Sequence, residues 1–219
     1  MSGDVMNERV ARRPYDLDGL TDIALRVFAE RGFDGATMDD VAAAAGITKA
    51  AIYHHVAGKE ALLARGLSRA LDALFGTLEE SGARDGSAIE RLHYLVRRVA
   101  EVALDVLPEL TVLVRVRGNS ASEREAITRR RAFDRAVTAL VREAQRDGAV
   151  APDVDPSLAV RLTFGMCNSL VEWYRPGGRL APSAVIEAVV RLAFDGLTAG
   201  RRNDTMQSLT NRLVGKEGS

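Results

Sequence analysis

Residues 37–59 read TMDDVAAAAGITKAAIYHHVAGK, which describes two short helices joined by a tight turn. Thr37 is placed to cap the first helix. Asp40, three residues on, is placed to reach back to it in a capping box, which turns Met38, Val41 and Ala42 inward. Gly46 stops that helix, because a glycine just past a helix end takes the left-handed conformation without steric cost and lets the chain reverse before Ile47. Thr48 starts the second helix, residues 49–55, which carries a lysine, two histidines, a tyrosine and no acid. A short helix so furnished suits the major groove of DNA. The pattern is that of a helix-turn-helix.

Upstream, Leu20, Ile23, Ala24, Val27 and Phe28 recur at helical spacing over residues 17–31, and Gly32 ends the run. Phe33 then folds back as a plug, and the three helices share a small core of Leu20, Ala24, Phe28, Val41, Ile47 and Ile52. Residues 1–15 are polar and irregular, with Arg9, Arg12 and Arg13 clustered before the first helix. They read either as a charged tail or as an arm that follows DNA phosphates.

Downstream, every periodic run is helical. One run from Leu62 to Leu74 continues to about residue 80, and residues 81–86 break it. A second, from Ile89 to Val106, has one apolar face and is expected to stop at Pro108, with a third helix from Leu110 to near Gly118. Ser120 with Glu123 resembles another capping box, opening a helix whose inner stripe is Phe133, Val137, Leu140 and Ala144. Asp155 followed by Pro156 starts the helix 156–174, which is apolar on more than one face. Pro176, Gly177 and Gly178 form a turn, and an apolar helix returns over 182–197. Helices apolar nearly all round need cover on both sides, and two of them from each of two chains make an intersubunit four-helix bundle. Residues 201–219 are polar again and form a tail.

Composition bounds these readings. Thirty bases cancel thirty acids, so DNA binding must come from a local patch and not from overall charge. Lysine occurs only at 49, 59 and 216, and two of the three fall inside the opening stretch. Cys167 is the only cysteine, on an apolar pattern where it acts as a small hydrophobe. No uninterrupted apolar run approaches the ~20 residues needed to span a bilayer. With no signal peptide evident, the chain reads as cytoplasmic.

The first 65 or so residues resemble the DNA-binding domain of the TetR family of one-component bacterial regulators. The resemblance rests on a helix ending in Gly-Phe, then Thr, an acidic pair, Val-Ala, Ala-Gly-Ile-Thr, an aromatic-histidine pair and Lys-Glu. It implies that Thr37, Thr48, Tyr53, His55 and Lys59 contact phosphates, and that Lys49, Ala50 and His54 lie near base edges. Ala50 stands where many members have glycine, and Val56 where phenylalanine is usual. On physical grounds Lys59, at a helix start, suits a phosphate clamp, and Lys49 is either a donor to guanine or a solvated lysine. Tyr53 is either core or a backbone contact. The adjacent histidines point about 100° apart on a helix, which does not suit zinc.

The C-terminal region is expected to hold a sensor. Arg130 shares a stripe with Phe133, Val137 and Leu140, and Arg115, Arg117 and Asn119 add polar groups nearby. A buried arginine needs a partner, which an anionic ligand supplies; one at a helix edge snorkels to water. Asn168 is placed to orient a ligand or to bond a backbone carbonyl. FGMCNSLVEWYRPGGRL, from Phe164, with the arginines at 129–131, resembles the TetR-type regulators that respond to acyl-CoA thioesters. That implies an anionic head near the arginines and an acyl or aryl tail among Phe164, Leu170 and Trp173; the Trp-Tyr-Arg-Pro-Gly-Gly run alternatively caps the helix and shapes a dimer contact.

The expectation is an all-α protein: an arm over 1–15, a three-helix DNA-binding domain over 16–61, a ligand-binding and dimerisation domain over 62–200, and a tail over 201–219. It is expected to act as a homodimeric repressor on a near-palindromic operator, without cofactor or metal, released by an anionic effector such as an acyl-CoA or by another hydrophobic molecule. A nonspecific DNA-binding protein and a helical-bundle enzyme are the other classes. Against the enzyme stand the absence of metal-ligand spacing, of a phosphate loop and of a nucleophile beside a base, since Cys167 and His93 lie on apolar-patterned helices with no third group.

Overall fold

The computed structural model describes residues 16–197, so the expected arm over 1–15 and the tail over 201–219 lie outside the described residues. Among the described residues there are ten helices and no strand. They are α1 Leu17–Arg31, α2 Met38–Ala45, α3 Lys49–Tyr53, α4 Lys59–Glu79, α5 Ser81–Arg84, α6 Ala88–Asp105, α7 Leu107–Arg115, α8 Ala121–Arg146, α9 Pro156–Trp173 and α10 Pro182–Leu197. The chain divides into two compact units. The first runs to Phe75 and adds Ala103–Arg131 and Leu170–Glu172; the second takes Gly76–Val102, Ala132–Ser169 and the chain from Trp173 on.

Helix ends in the first unit follow their caps. Asp16 accepts the Gly19 N–H at 2.7 Å to start α1, and Gly32 ends it at φ 76°. The capping box of α2 is complete. Asp40 Oδ2 accepts the backbone N–H of Thr37 at 2.9 Å and its hydroxyl at 2.7 Å, while Thr37 Oγ1 accepts the Asp40 N–H at 3.1 Å. Beyond α2, Gly46 is left-handed at φ 68° and ψ 28°, and the N–H groups of Gly46 and Ile47 donate to Ala43 and Ala42, the paired bonds of a Schellman motif. Leu20, Ala24, Phe28, Val41 and Ile52 are buried together with Leu62, Leu63 and Leu67 of α4. Ile47, expected in that core, is only half-buried at the turn. Phe33 does fold back: its ring meets Phe28 edge to face at 5.2 Å.

Two boundaries differ from the periodicity. The break at 81–86 contains the short helix α5. Pro108 does not end a helix: α6 stops at Asp105, and the proline sits in the first turn of α7, where its missing N–H loses no intrahelical bond. In the second unit, Leu92, Leu95, Val96 and Val99 of α6, Phe133, Val137, Leu140 and Ala144 of α8, Val160, Phe164 and Cys167 of α9, and Val185 and Val189 of α10 are all buried. Burial pushes the Cys167 thiol up to about 12, as befits an inert core residue. Tyr94 and Arg98 converge on Glu80, with Arg98 donating through Nε at 2.8 Å and Nη2 at 3.0 Å.

Candidate nucleic-acid interface

The recognition helix is short. α3 ends at Tyr53, not at residue 55, because the N–H groups of His55 and Val56 both return to the Ile52 carbonyl and tighten the last turn. Thr48 Oγ1 accepts the Ala51 N–H at 3.2 Å and sets its start. Ile52 is the one α3 side chain that is fully buried. Lys49, Ala50, Tyr53 (49% exposed), His54 and His55 all face solvent, as do the capping residues Thr37 and Thr48. The structure thus brings seven of the eight expected DNA contacts to the exposed surface of one capped frame.

The eighth, Lys59, is differently engaged. Its Nζ donates to the carbonyls of Phe33 at 2.9 Å, Ala36 at 3.0 Å and Asp34 at 3.4 Å, and lies 4.6 Å from the centre of the Phe33 ring. The turn between α1 and α2 presents three carbonyls, and the ammonium has three protons to satisfy them. Lys49 is also paired, with Asp39 Oδ2 at 2.9 Å, and that hydrogen bond raises its already high pKa. Sequence reasoning missed this acid. Its signal was the second carboxylate in the pair at 39 and 40, of which only one can complete a capping box.

Further ion pairs hold α1 in place within the first unit. Arg65 meets Asp18 at 2.7 Å, and one turn on Arg69 meets Asp22 at 2.7 Å and the buried Glu109 at 2.9 Å. Arg31 Nη1 lies 2.5 Å from Asp40 Oδ1, joining the end of α1 to the cap of α2.

The residues expected to hold an effector fall into two groups. Arg115, Arg117, Asn119 and Arg130 belong to the first unit, and Phe133, Phe164, Asn168 and Trp173 to the second. The first three line one cavity; Arg130 is half-buried and is not among its walls. Arg115 Nη1 donates to the Ala29 carbonyl at 2.5 Å. Phe133 and Phe164 pack on each other, with centroids 5.6 Å apart, while Asn168 is half-buried and Trp173 is exposed. Of the capping box expected at Ser120 and Glu123, the structure records the half from the Glu123 N–H, while the Glu123 carboxylate turns to the preceding turn. Its backbone N–H donates to Ser120 Oγ at 3.2 Å, and its Oε2 accepts the N–H groups of Arg117, Gly118 and Asn119 at 2.8, 2.7 and 3.0 Å. Burial pushes its carboxyl up, but these three bonds outweigh burial and hold it below the usual range.

On α9 and α10, Leu158, Leu162 and Leu192 are exposed, Leu162 at 63% and Leu192 at 67%. With Met166 they line a groove of about 540 Å³, and Met166 and Leu192 also border a second of about 290 Å³ beside Trp173 and Leu180.

A capped helix-turn-helix on an all-helical body defines a DNA-binding regulator. Residues 20–65 match the family described as bacterial regulatory proteins, tetR family, and residues 85–197 match the tetracyclin repressor-like C-terminal domain. The chain belongs to the TetR family. It is 32% identical to the HTH-type transcriptional repressor KstR2 of Rhodococcus jostii, over 82% of this chain and 90% of that one. Among solved structures, SCO3833 of Streptomyces coelicolor A3, a TetR regulator, is 54% identical with a TM-score of 0.77, covering 81% of this chain and 90% of that one. The ketosteroid transcriptional regulator KstR2 of Mycobacterium tuberculosis is 26% identical with a TM-score of 0.76, covering 83% and 94%. The chain is therefore a DNA-binding transcriptional regulator and not an enzyme. No helix among the described residues is long and apolar enough to cross a membrane.

Proposed function

We propose that this regulator is a repressor that binds a near-palindromic operator as a homodimer and leaves it when an anionic, partly apolar effector binds. Residues 16–61 would dock DNA, and residues 62–200 would carry the effector and dimer contacts. α3 enters the major groove with Lys49, Ala50 and His54 toward base edges, while Thr37, Thr48, Tyr53 and His55 meet phosphates. Lys59 reaches a phosphate only by leaving its three carbonyls, so its contribution runs through the turn it holds.

The observation that carries the dimer is the apolar groove over α9 and α10, where large side chains lie in water on helices whose other faces are already buried. Its self-association sets the spacing of two recognition helices and hence of two half-sites. The effector changes that spacing in proportion to its differential affinity for the two arrangements.

The acyl-CoA form of the effector rests on the resemblance of the segment from Phe164. A different hydrophobic effector is the second reading, favoured by the description of KstR2 as a ketosteroid regulator. Gel shifts on DNA upstream of the gene, with a panel of acyl-CoAs, their free acids and a ketosteroid, separate the two. Release by a thioester alone supports the first; release by the steroid alone supports the second. Absence of any shift on that DNA argues against self-regulation.

A further inference from the structure

A cavity of about 270 Å³ lies wholly within the first unit, beside the turn that joins α1 to α2. Its apolar wall is Phe28, Phe33, Leu63, Val112 and Val116. Arg31, at the end of α1, and Arg115 and Arg117, at the end of α7 and just beyond it, place three arginines in its lining. Gathered cations favour an anion between them. Two acids share the lining, and they differ. Glu123 Oε2 is committed to three backbone N–H groups, and Asp34 is exposed. The other two arginines have partners outside the lining: Arg31 has Asp40, and Arg115 has the Ala29 carbonyl and, at 3.9 Å, Glu172. Arg117 is exposed and makes no ion pair among the described residues.

We propose that this cavity binds a small organic carboxylate with an aromatic or branched apolar body, and that the helix-turn-helix reads its occupancy directly. The inference rests on the reading of the chain as an effector-responsive repressor, and it places one effector site inside the unit that contains the DNA-binding helices. The carboxylate meets the Arg115 and Arg117 forks, and the apolar body lies against Phe33 and Val112. Just below the roughly 300–1,000 Å³ range of ligand pockets, the space suits a simple acid and excludes a whole nucleotide-bearing thioester.

Coupling follows from what those arginines already hold. Arg31 draws on Asp40, the residue that completes the α2 capping box, and Arg115 caps the end of α1 through Ala29. A bound carboxylate competes for both guanidiniums and favours a different arrangement of the α1–α2 turn, which lowers operator affinity by linkage.

Calorimetry on the full chain with benzoate, isovalerate and inorganic phosphate tests the site, and operator binding in the same solutions tests the coupling. The expected result is benzoate or isovalerate binding in the wild type and in Arg135→Gln, an exposed control on α8, at least tenfold weaker binding in Arg117→Gln, and at least fivefold weaker operator binding when the site is filled. Equal binding by Arg117→Gln, or no binding of either acid, overturns the site. Phosphate binding as tightly as benzoate overturns the carboxylate assignment, and binding without an operator effect overturns the coupling. A wild-type protein that binds the acids and no operator would instead sink the repressor reading on that DNA, leaving the cavity result intact.

Discussion

α3 and α9 both present exposed side chains, but they do so in opposite ways. α3 is five residues long, buries Ile52 alone and shows water a lysine, an alanine and a tyrosine. So short a helix cannot stand on its own propensity; its caps and one anchor hold it. α9 is eighteen residues long, buries Val160, Phe164, Cys167 and Leu170, and still exposes Leu158 and Leu162. The difference separates two kinds of partner. A hydrated polyanion is met by polar groups on a rigid frame, whereas an apolar surface needs leucines that only association can dry.

Substitutions can break that contrast, beginning with the larger face. Replacing Leu162 and Leu192 by glutamate should leave each chain folded but abolish the dimer. At about 2 kcal/mol per leucine, four leucines per dimer forfeit roughly 8 kcal/mol. Sedimentation should show monomer, and operator affinity should fall at least a hundredfold; a persistent dimer would place the interface elsewhere. On the smaller face, Ile52→Ala should cost ~3 kcal/mol and lose operator binding with a fall in Tm, because nothing else anchors α3.

Lys59→Met separates support from contact. If Lys59 serves the turn, Tm falls, by about 2 kcal/mol of stability, while the slope of log affinity against log salt is unchanged. If it serves a phosphate, the slope shallows by about 0.9 and Tm holds. The smallest effect is expected from Asp39→Asn, which frees Lys49. Affinity for unrelated DNA should rise about threefold and discrimination should narrow, since an exposed, solvent-screened pair holds Lys49 only weakly. Fluorescence anisotropy on operator and scrambled duplexes reads both.

How much of this was legible in the sequence depends on the range of the interactions. Thr37, Asp40, Gly46 and Thr48 announce caps and a turn through contacts within a few residues, and the structure repeats them bond for bond. Helical periodicity likewise places the stripe of Phe133, Val137, Leu140 and Ala144 in the core. What pattern cannot carry is the destination of a long side chain. Lys59 meets carbonyls 23 to 26 residues away, Arg115 one that is 86 residues away, and Lys49 an acid on the preceding helix. Pro108 misled for a local reason: a proline ends one helix or opens the next, and only the backbone tells which.

The left-handed glycine between α2 and α3 bears on how the regulator behaves in a warming cell. A Cβ at Gly46 would meet nothing within 4 Å, so the penalty for Gly46→Ala lies in the backbone alone, about 1–2 kcal/mol. A defect of that size leaves the reading head assembled when cool and loosens it near the melting range. The variant should therefore behave as a thermosensitive allele, silencing a reporter in the cold and releasing it on a shift of some ten degrees, which a reporter assay at two temperatures would show.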